Sequence, residues 1–325
     1  MGKGDGGRRP MLRYVSTRLV SIVLSLVVAS AMIFLIMNVI PGDVAQMILG
    51  ADASPEALAA LRQSMGLDQN VAVRYFQWLA GVLQGDFGQS LGTPGFSVAY
   101  LLTDRLGNSL ALAALATAFV VPVALVGGTY CGLNPGSPVD RIVSFFSMIW
   151  ISLPEFASAV FLIMIFSKAL GLLPSMSGLD LQMSLASQWK AFILPALTLS
   201  LITMGYVLRM VRAGVIEVAN SEYVRIARLS GVSRGTVLRK YIIRNALAPS
   251  IAIIAMNTGW MIGGLVVVET IFAFPGLGTL LLQAVVQRDV PLIQAAALCS
   301  VAAYMLLNFV ADVLTILLTP QLRLD

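Results

Sequence analysis

The 325 residues are 58% hydrophobic and 11% charged, with a mean hydropathy of +0.87, whereas a soluble domain is about half apolar and a quarter charged. That balance marks an integral membrane protein. Histidine is absent, which removes imidazole relays, His-ligated metals and Ser-His triads, and Cys131 and Cys299, both in or beside apolar runs, exclude a disulfide-stapled secreted fold.

The first ten residues, MGKGDGGRRP, read as a Gly-rich tail. Their glycines have the spacing of a P-loop but lack its Lys-Ser/Thr pair and a preceding strand, so no nucleotide site is expected. A run without charge covers 19–40. Arg8, Arg9, Arg13 and Arg18 ahead of it and Ala29-Ser30-Ala31 within it mimic a secretory signal. The apolar stretch continues well past that point, so a retained membrane span is the expectation.

Residues 41–105 form a long loop with helices of its own. Ser54-Pro55-Glu56 carries an N-cap, a first-position proline and a first-turn acid, predicting a helix to about Met65 that Gly66 stops. A second helix over 71–83 would place Tyr75, Phe76, Leu79 and Leu83 on one face. Such a loop suits a cap on a helical bundle, a docking surface for a soluble partner, or both.

Five further apolar runs follow, each near the roughly 20 residues that cross a bilayer. They cover 110–130, 142–167 with Glu155 as its one acid, 191–208 interrupted by Pro195, 246–274 with Glu269, and 291–318 with Asp312. Pro154 is expected to kink the third run and to free a backbone carbonyl beside Glu155, near mid-span. Intramembrane carboxylates are costly, about 2.5–3.5 kcal/mol at a helix centre on insertion scales. Glu155 can face a solute pathway or bond a neighbouring helix. Glu269, near the outer end, and Asp312, near the inner end, suit gating or helix pairing. Gly259 and Gly263 form a close-packing G-x-x-x-G pair.

Six spans put both termini on one side. Fifteen of the 21 Lys and Arg fall in the tails and in the 131–141 and 209–245 segments, which makes that side cytoplasmic. The net charge of +5 is thereby a topology signal and calls for no nucleic acid.

The 209–245 segment carries eight of these cations. Within it, 221–230 reads as a short helix ended by Gly231, with Tyr223, Ile226, Ala227 and Ser230 on one face and Glu222, Arg225 and Arg228 along another ridge. Ser233 would start a second helix running towards Pro249. The residue pattern alone fits a helix seated in a protein groove and one lying on anionic lipid equally well.

Tyr223-Val-Arg225-Ile-Ala227-Arg228-Leu-Ser-Gly231 and Arg244-Asn-Ala-Leu-Ala-Pro249 resemble the cytoplasmic EAA loop of binding-protein-dependent ABC importer permeases, in its dipeptide/oligopeptide/nickel form. Ile40-Pro-Gly-Asp43, Met65-Gly-Leu-Asp-Gln69, Gly85-Asp-Phe-Gly-Gln-Ser90 and Glu269-Thr-Ile-Phe-Ala-Phe-Pro-Gly-Leu-Gly278 resemble the same branch in the same order. The similarity runs from about Met11 to the C-terminus. Against the general EAA pattern, Arg225 stands for the Glu and Ile226 for the first Ala, so contacts of that Glu do not carry over. Thr319 stands where an Asp before Pro320 is usual.

The resemblance implies an all-α polytopic protein of six transmembrane helices, an external helical loop and a cytoplasmic coupling helix. It would comprise a tail (1–14), a first span (15–40), the loop (41–105) and a five-helix core (106–325) that includes a 209–248 coupling loop. It implies a non-enzymatic permease subunit of the inner membrane, importing peptides or similar small solutes. Partners would be a second homologous permease, two ATPase subunits that bind the ATP and Mg, and an extracytoplasmic binding protein; this chain itself would hold no cofactor or metal. Glu222, Tyr223, Arg225, Ala227, Arg228 and Gly231 would form the ATPase contact, with Pro154, Glu155, Glu269 and Asp312 as pathway or gating residues. The alternative, an ion-driven secondary transporter, calls for paired intramembrane charges or matched interrupted helices, and no such internal repeat is visible.

Overall fold

The computed structural model describes residues 8–39, 46, 53–64, 66, 68–178 and 188–318. The motif at 40–43, Met65, Leu67, Thr319 and Pro320 lie outside them, as do residues 1–7. Helices account for nearly all of the regular structure. They are α1 (Arg8–Val39), α2 (Pro55–Ser64), α3 (Val71–Leu83), α4 (Val98–Leu133), α5 (Pro138–Ser152) and α6 (Glu155–Leu162), which continues as a π-helical stretch over Ile163–Ala169. Then come α7 (Trp189–Ala219), α8 (Glu222–Leu229), α9 (Arg244–Ile271), α10 (Leu277–Gln287) and α11 (Val290–Leu318). Among the described residues there is no strand, only an isolated bridge between Gln89 and Ser97.

Each of the six apolar runs is helical. Four helices, α1, α4, α7 and α11, are each long and apolar enough to cross a membrane, and α5 with α6 adds a fifth if the bent pair counts as one. The fifth run is carried by α9, 28 residues long. Two expectations need correction. The third run is broken by 115° between α5 and α6, far beyond a proline kink. Proline lacks an N–H and pushes the residue before it out of the helical region; Leu153 (ψ 132°) and Pro154 (ψ 147°) are both extended, so two successive residues leave the helix. Pro195, by contrast, interrupts nothing: it lies in the second turn of α7, and the helix runs through it.

Helix α1 starts at Arg8, inside the segment read as a tail; arginine is a good helix former, so charge ends the apolar run without ending the helix. Helix α2 has the expected cap, with Ala57 N donating to Ser54 Oγ at 3.2 Å and Gly66 at φ 65° beyond its end. Helix α3 has the expected bounds, and Asn70 Oδ1 caps it by accepting from Ala72 N at 2.8 Å.

The chain divides into two compact units. One comprises 108–275 with the first part of α1 and the last part of α11. Its apolar core has one cluster around Leu112, Leu194, Met261, Phe272 and Phe274 and a second around Val120, Val207, Val211, Val215, Val224 and Ile242. The other comprises 20–107 and 276–303, with a core of Val98, Leu102, Leu277, Leu280, Leu292 and Ala296. In this second unit Asp289, fully buried, accepts from Ser90 Oγ (2.5 Å), Gly92 N (3.0 Å) and Leu292 N (3.2 Å), fastening the 88–98 loop to the start of α11. There too Tyr75 and Trp78 of α3 pack their rings on Phe34 of α1, each at 5.6 Å between centroids. The expected α3 face is therefore shifted: Phe76 (66% exposed) and Leu83 (80%) point away from the protein.

Candidate functional site

Helix α8 follows α7 after only Asn220 and Ser221. Ser221 occupies the N-cap position but its hydroxyl turns back, donating to Val218 O at 2.6 Å, so it ties the joint to α7 rather than capping α8. At the other end Gly231 adopts φ 75°, and its N–H bonds Arg228 O (3.2 Å) while Val232 N–H bonds Ala227 O (3.2 Å). That pair of bonds is the Schellman arrangement, which glycine favours because the left-handed region costs it nothing. The chain then climbs through a single turn, Arg234–Thr236, and a π-helical stretch, Val237–Ile243, into α9. Ser233 is the N-cap as expected, with its hydroxyl against Thr236 Oγ1 at 2.9 Å.

The two faces of α8 are not those read from the sequence. Val224 (0% exposed) and Ala227 (6%) enter the second core cluster, so Ala227 anchors the helix instead of facing a partner. Tyr223 (42%), Ile226 (60%) and Leu229 (79%) form an exposed stripe at i, i+3 and i+6. Arg225 and Arg228 are exposed beside it. Glu222 pairs loosely with Arg225 at 3.6 Å. Glu222 in the first turn and Arg228 in the last both complement the helix dipole. Tyr223 OH accepts from Asn245 Nδ2 at 3.3 Å, which links the helix to the start of α9. Placing Val224 inside was missed because it falls between two outward-facing residues of a stretch that is apolar on both sides.

The carboxylates have separate surroundings. Glu155 opens α6 directly after the break and is half-buried, where the free N–H groups of a helix start favour negative charge. Pro154 O accepts from Ala157 N (3.0 Å) and Ser158 N (3.1 Å), setting the first turn of that helix. Glu269 is fully buried and accepts from Ser109 Oγ of α4 at 2.5 Å, a helix-pairing bond. Asp312 accepts from Arg18 Nε of α1 at 2.7 Å. Gly259 and Gly263 lie in α9, but their surroundings are outside the described side chains.

Two features escaped the sequence reading. Gly128 and Gly132 of α4 press against α7: a Cβ on Gly132 would stand 2.6 Å from Val215 Cβ and 2.8 Å from Arg212 O. This G-x-x-x-G pair was visible in the sequence as a close-packing signal. Asp140, at the start of α5 and 2% exposed, takes a two-pronged bond from Arg212 of α7, Nε to Oδ1 at 2.5 Å and Nη2 to Oδ2 at 2.8 Å. Seventy-two positions separate the partners, and nothing in either local pattern announces the pairing.

Comparison with known proteins shows the family of the chain. Residues 124–324 match the family "Binding-protein-dependent transport system inner membrane component", and residues 11–112 match the N-terminal family of the same transport-system membrane components. The chain is 34% identical over 313 residues to the glutathione transport system permease protein GsiC of Shigella flexneri, covering 96% of this chain and 99% of that protein. The GsiC proteins of Salmonella choleraesuis and Escherichia coli match with the same identity and coverage. A solved structure, described as an amino acid ABC transporter with histidines, aligns at 19% identity and a TM-score of 0.49, covering 68% of this chain and 94% of that one. The chain belongs to the binding-protein-dependent inner membrane components and is a permease subunit of an ABC importer, working with separate ATPase and substrate-binding proteins.

Proposed function

We propose that the chain carries glutathione or short peptides inward, and that α8 is the helix through which ATPase subunits drive it. The exposed stripe of Tyr223, Ile226 and Leu229 carries this reading: its opposite side is locked into the core by Val224 and Ala227, and Gly231 stops it after two turns. A helix held that firmly transmits a push instead of absorbing it. Arg225 and Arg228 flank the stripe and add charge complementarity to an acidic groove rim. Glu222, Tyr223 and Gly231 set its ends.

In this reading both termini and α8 are cytoplasmic, as the excess of Lys and Arg in those segments supports. The chain acts as one permease beside a second, homologous permease, with the segment between α1 and α4 external. Two ATPase chains bind ATP and Mg. Glu155, opening α6 after the break, faces the solute's amino group, while Glu269 and Asp312 hold helices at the outer and inner ends of the path. The 34% identity to glutathione permeases over nearly the whole chain supports a peptide-like solute.

Purification in mild detergent followed by reconstitution tests this. A tagged chain should bring an ATPase pair and a second permease, and vesicles holding that complex with its binding protein should take up labelled glutathione or dipeptides from a panel. Glu155→Gln should change uptake of the cationic members. A chain that purifies alone and transports on an ion gradient would instead be a secondary transporter.

A further inference from the structure

The contact between α5 and α7 is built as a splint. Asp140 and Ser147 are seven residues apart on α5, and Arg212 and Gly205 are seven apart on α7, running in opposite directions. Seven residues are close to two helical turns, so each helix uses one face for both contacts. At one end is the two-pronged Asp140–Arg212 pair, with Asp140 Oδ2 also accepting from Gly136 N at 2.8 Å. At the other, the absent side chain of Gly205 admits Ser147 O and Ile151; a Cβ there would lie 2.9 Å and 2.8 Å from them.

An ion pair with one member buried is a poor choice for stability alone, since apolar residues of similar volume often do as well or better. What a bidentate pair supplies is geometry: two parallel N–H···O bonds fix both separation and rotation. The glycine notch lets the helices touch at one end, and the pair adds a directional hold two turns away. The ends of the splint are informative. Arg212 lies two turns before the tight α7–α8 joint, and Ile151 lies at the edge of the 115° break that precedes Glu155.

We propose that the Asp140–Arg212 pair is a positioning strut for transport. It makes α5 follow α7 when α8 is displaced, so that the displacement reaches the break at 152–155. The proposal rests on α8 being the ATPase-coupling helix.

The test uses the assembled complex in proteoliposomes, with whichever member of the glutathione and dipeptide panel the unaltered complex carries. Asp140→Asn keeps the side-chain size and leaves Arg212, itself partly exposed, able to reach water. ATP hydrolysis and cross-linking of Ile226→Cys to the ATPase should persist, while substrate moved per ATP falls about 5-fold or more. A second variant guards against misfolding. With Cys131 and Cys299 replaced by serine, Asp140→Cys with Arg212→Cys should show a low ratio, which a short bifunctional thiol reagent restores. A ratio unchanged in Asp140→Asn, or indifferent to the reagent in the paired-cysteine protein, overturns the strut. Failure of the Ile226→Cys cross-link in the otherwise unaltered complex overturns the reading of α8 instead, a different result from a lost ratio with the cross-link intact.

Discussion

Gly231 sits at φ 75° with open space where a Cβ would go, so replacing it strains the backbone and clashes with nothing. A non-glycine residue there costs about 1–2 kcal/mol, enough to loosen the end of α8 without unfolding the chain. Gly231→Leu should therefore insert and assemble, hydrolyse ATP, and transport less per ATP; vesicle uptake at the normal ratio would show that the cap is dispensable. Gly132 presents the opposite case. Its φ is ordinary, but a side chain meets Val215 and the Arg212 carbonyl, and a carbonyl in a helix cannot give way. Gly132→Val should destabilise by about 1–3 kcal/mol, the usual range for overpacking, read as a lower Tm of the detergent-solubilised protein. An unchanged Tm would mean that α4 and α7 are not packed this closely. The stop at Gly231 was legible because turn chemistry is local: one residue type and its neighbours suffice. The Asp140–Arg212 pair was not, because 72 positions separate its members and Arg212 already had an explanation as a topology signal.

Elements were legible where a boundary has its own chemistry and less so where a face must be chosen. Helices α2 and α3 start at capping residues, Ser54 and Asn70, and both were placed within a residue or two. The face of α3 was not. With Val71, Val73, Tyr75, Phe76, Trp78, Leu79, Val82 and Leu83, it is apolar most of the way round, and only the presence of Phe34 selects Tyr75 and Trp78 as the packed side. Trp78→Ala should accordingly lower thermal stability and make the 53–83 region easier to cleave with protease. Phe76→Ala, on the outward side, should stay within about 0.5 kcal/mol of the unaltered protein. Equal losses in the two variants would mean that the helix is rotated. The same difficulty governs α8, whose inward Val224 and outward Ile226 are both large and aliphatic. The α5–α6 break illustrates a further limit: Pro154 announced a disturbance, but the size of the bend follows from two consecutive extended residues and from what packs on either side.

At the scale of the molecule, hydropathy did most of the work. A bilayer core demands backbones satisfied within each segment, so six long apolar runs in a chain without strand patterning leave helices as the outcome, and all six runs are helical. What composition could not convey is that one run is two helices at 115°, nor that the joint between α7 and α8 is closed by a serine hydroxyl. Membership in the importer permeases makes coupling to separate ATPases central to the protein, and α8 is the hold proposed for them. The measurement that reaches this claim most directly is site-specific cross-linking from Ile226→Cys in native membranes, with and without ATP. Capture of an ATPase subunit, with a yield that changes when ATP is added, is the predicted result. Cross-links to lipid alone in both conditions would contradict the account.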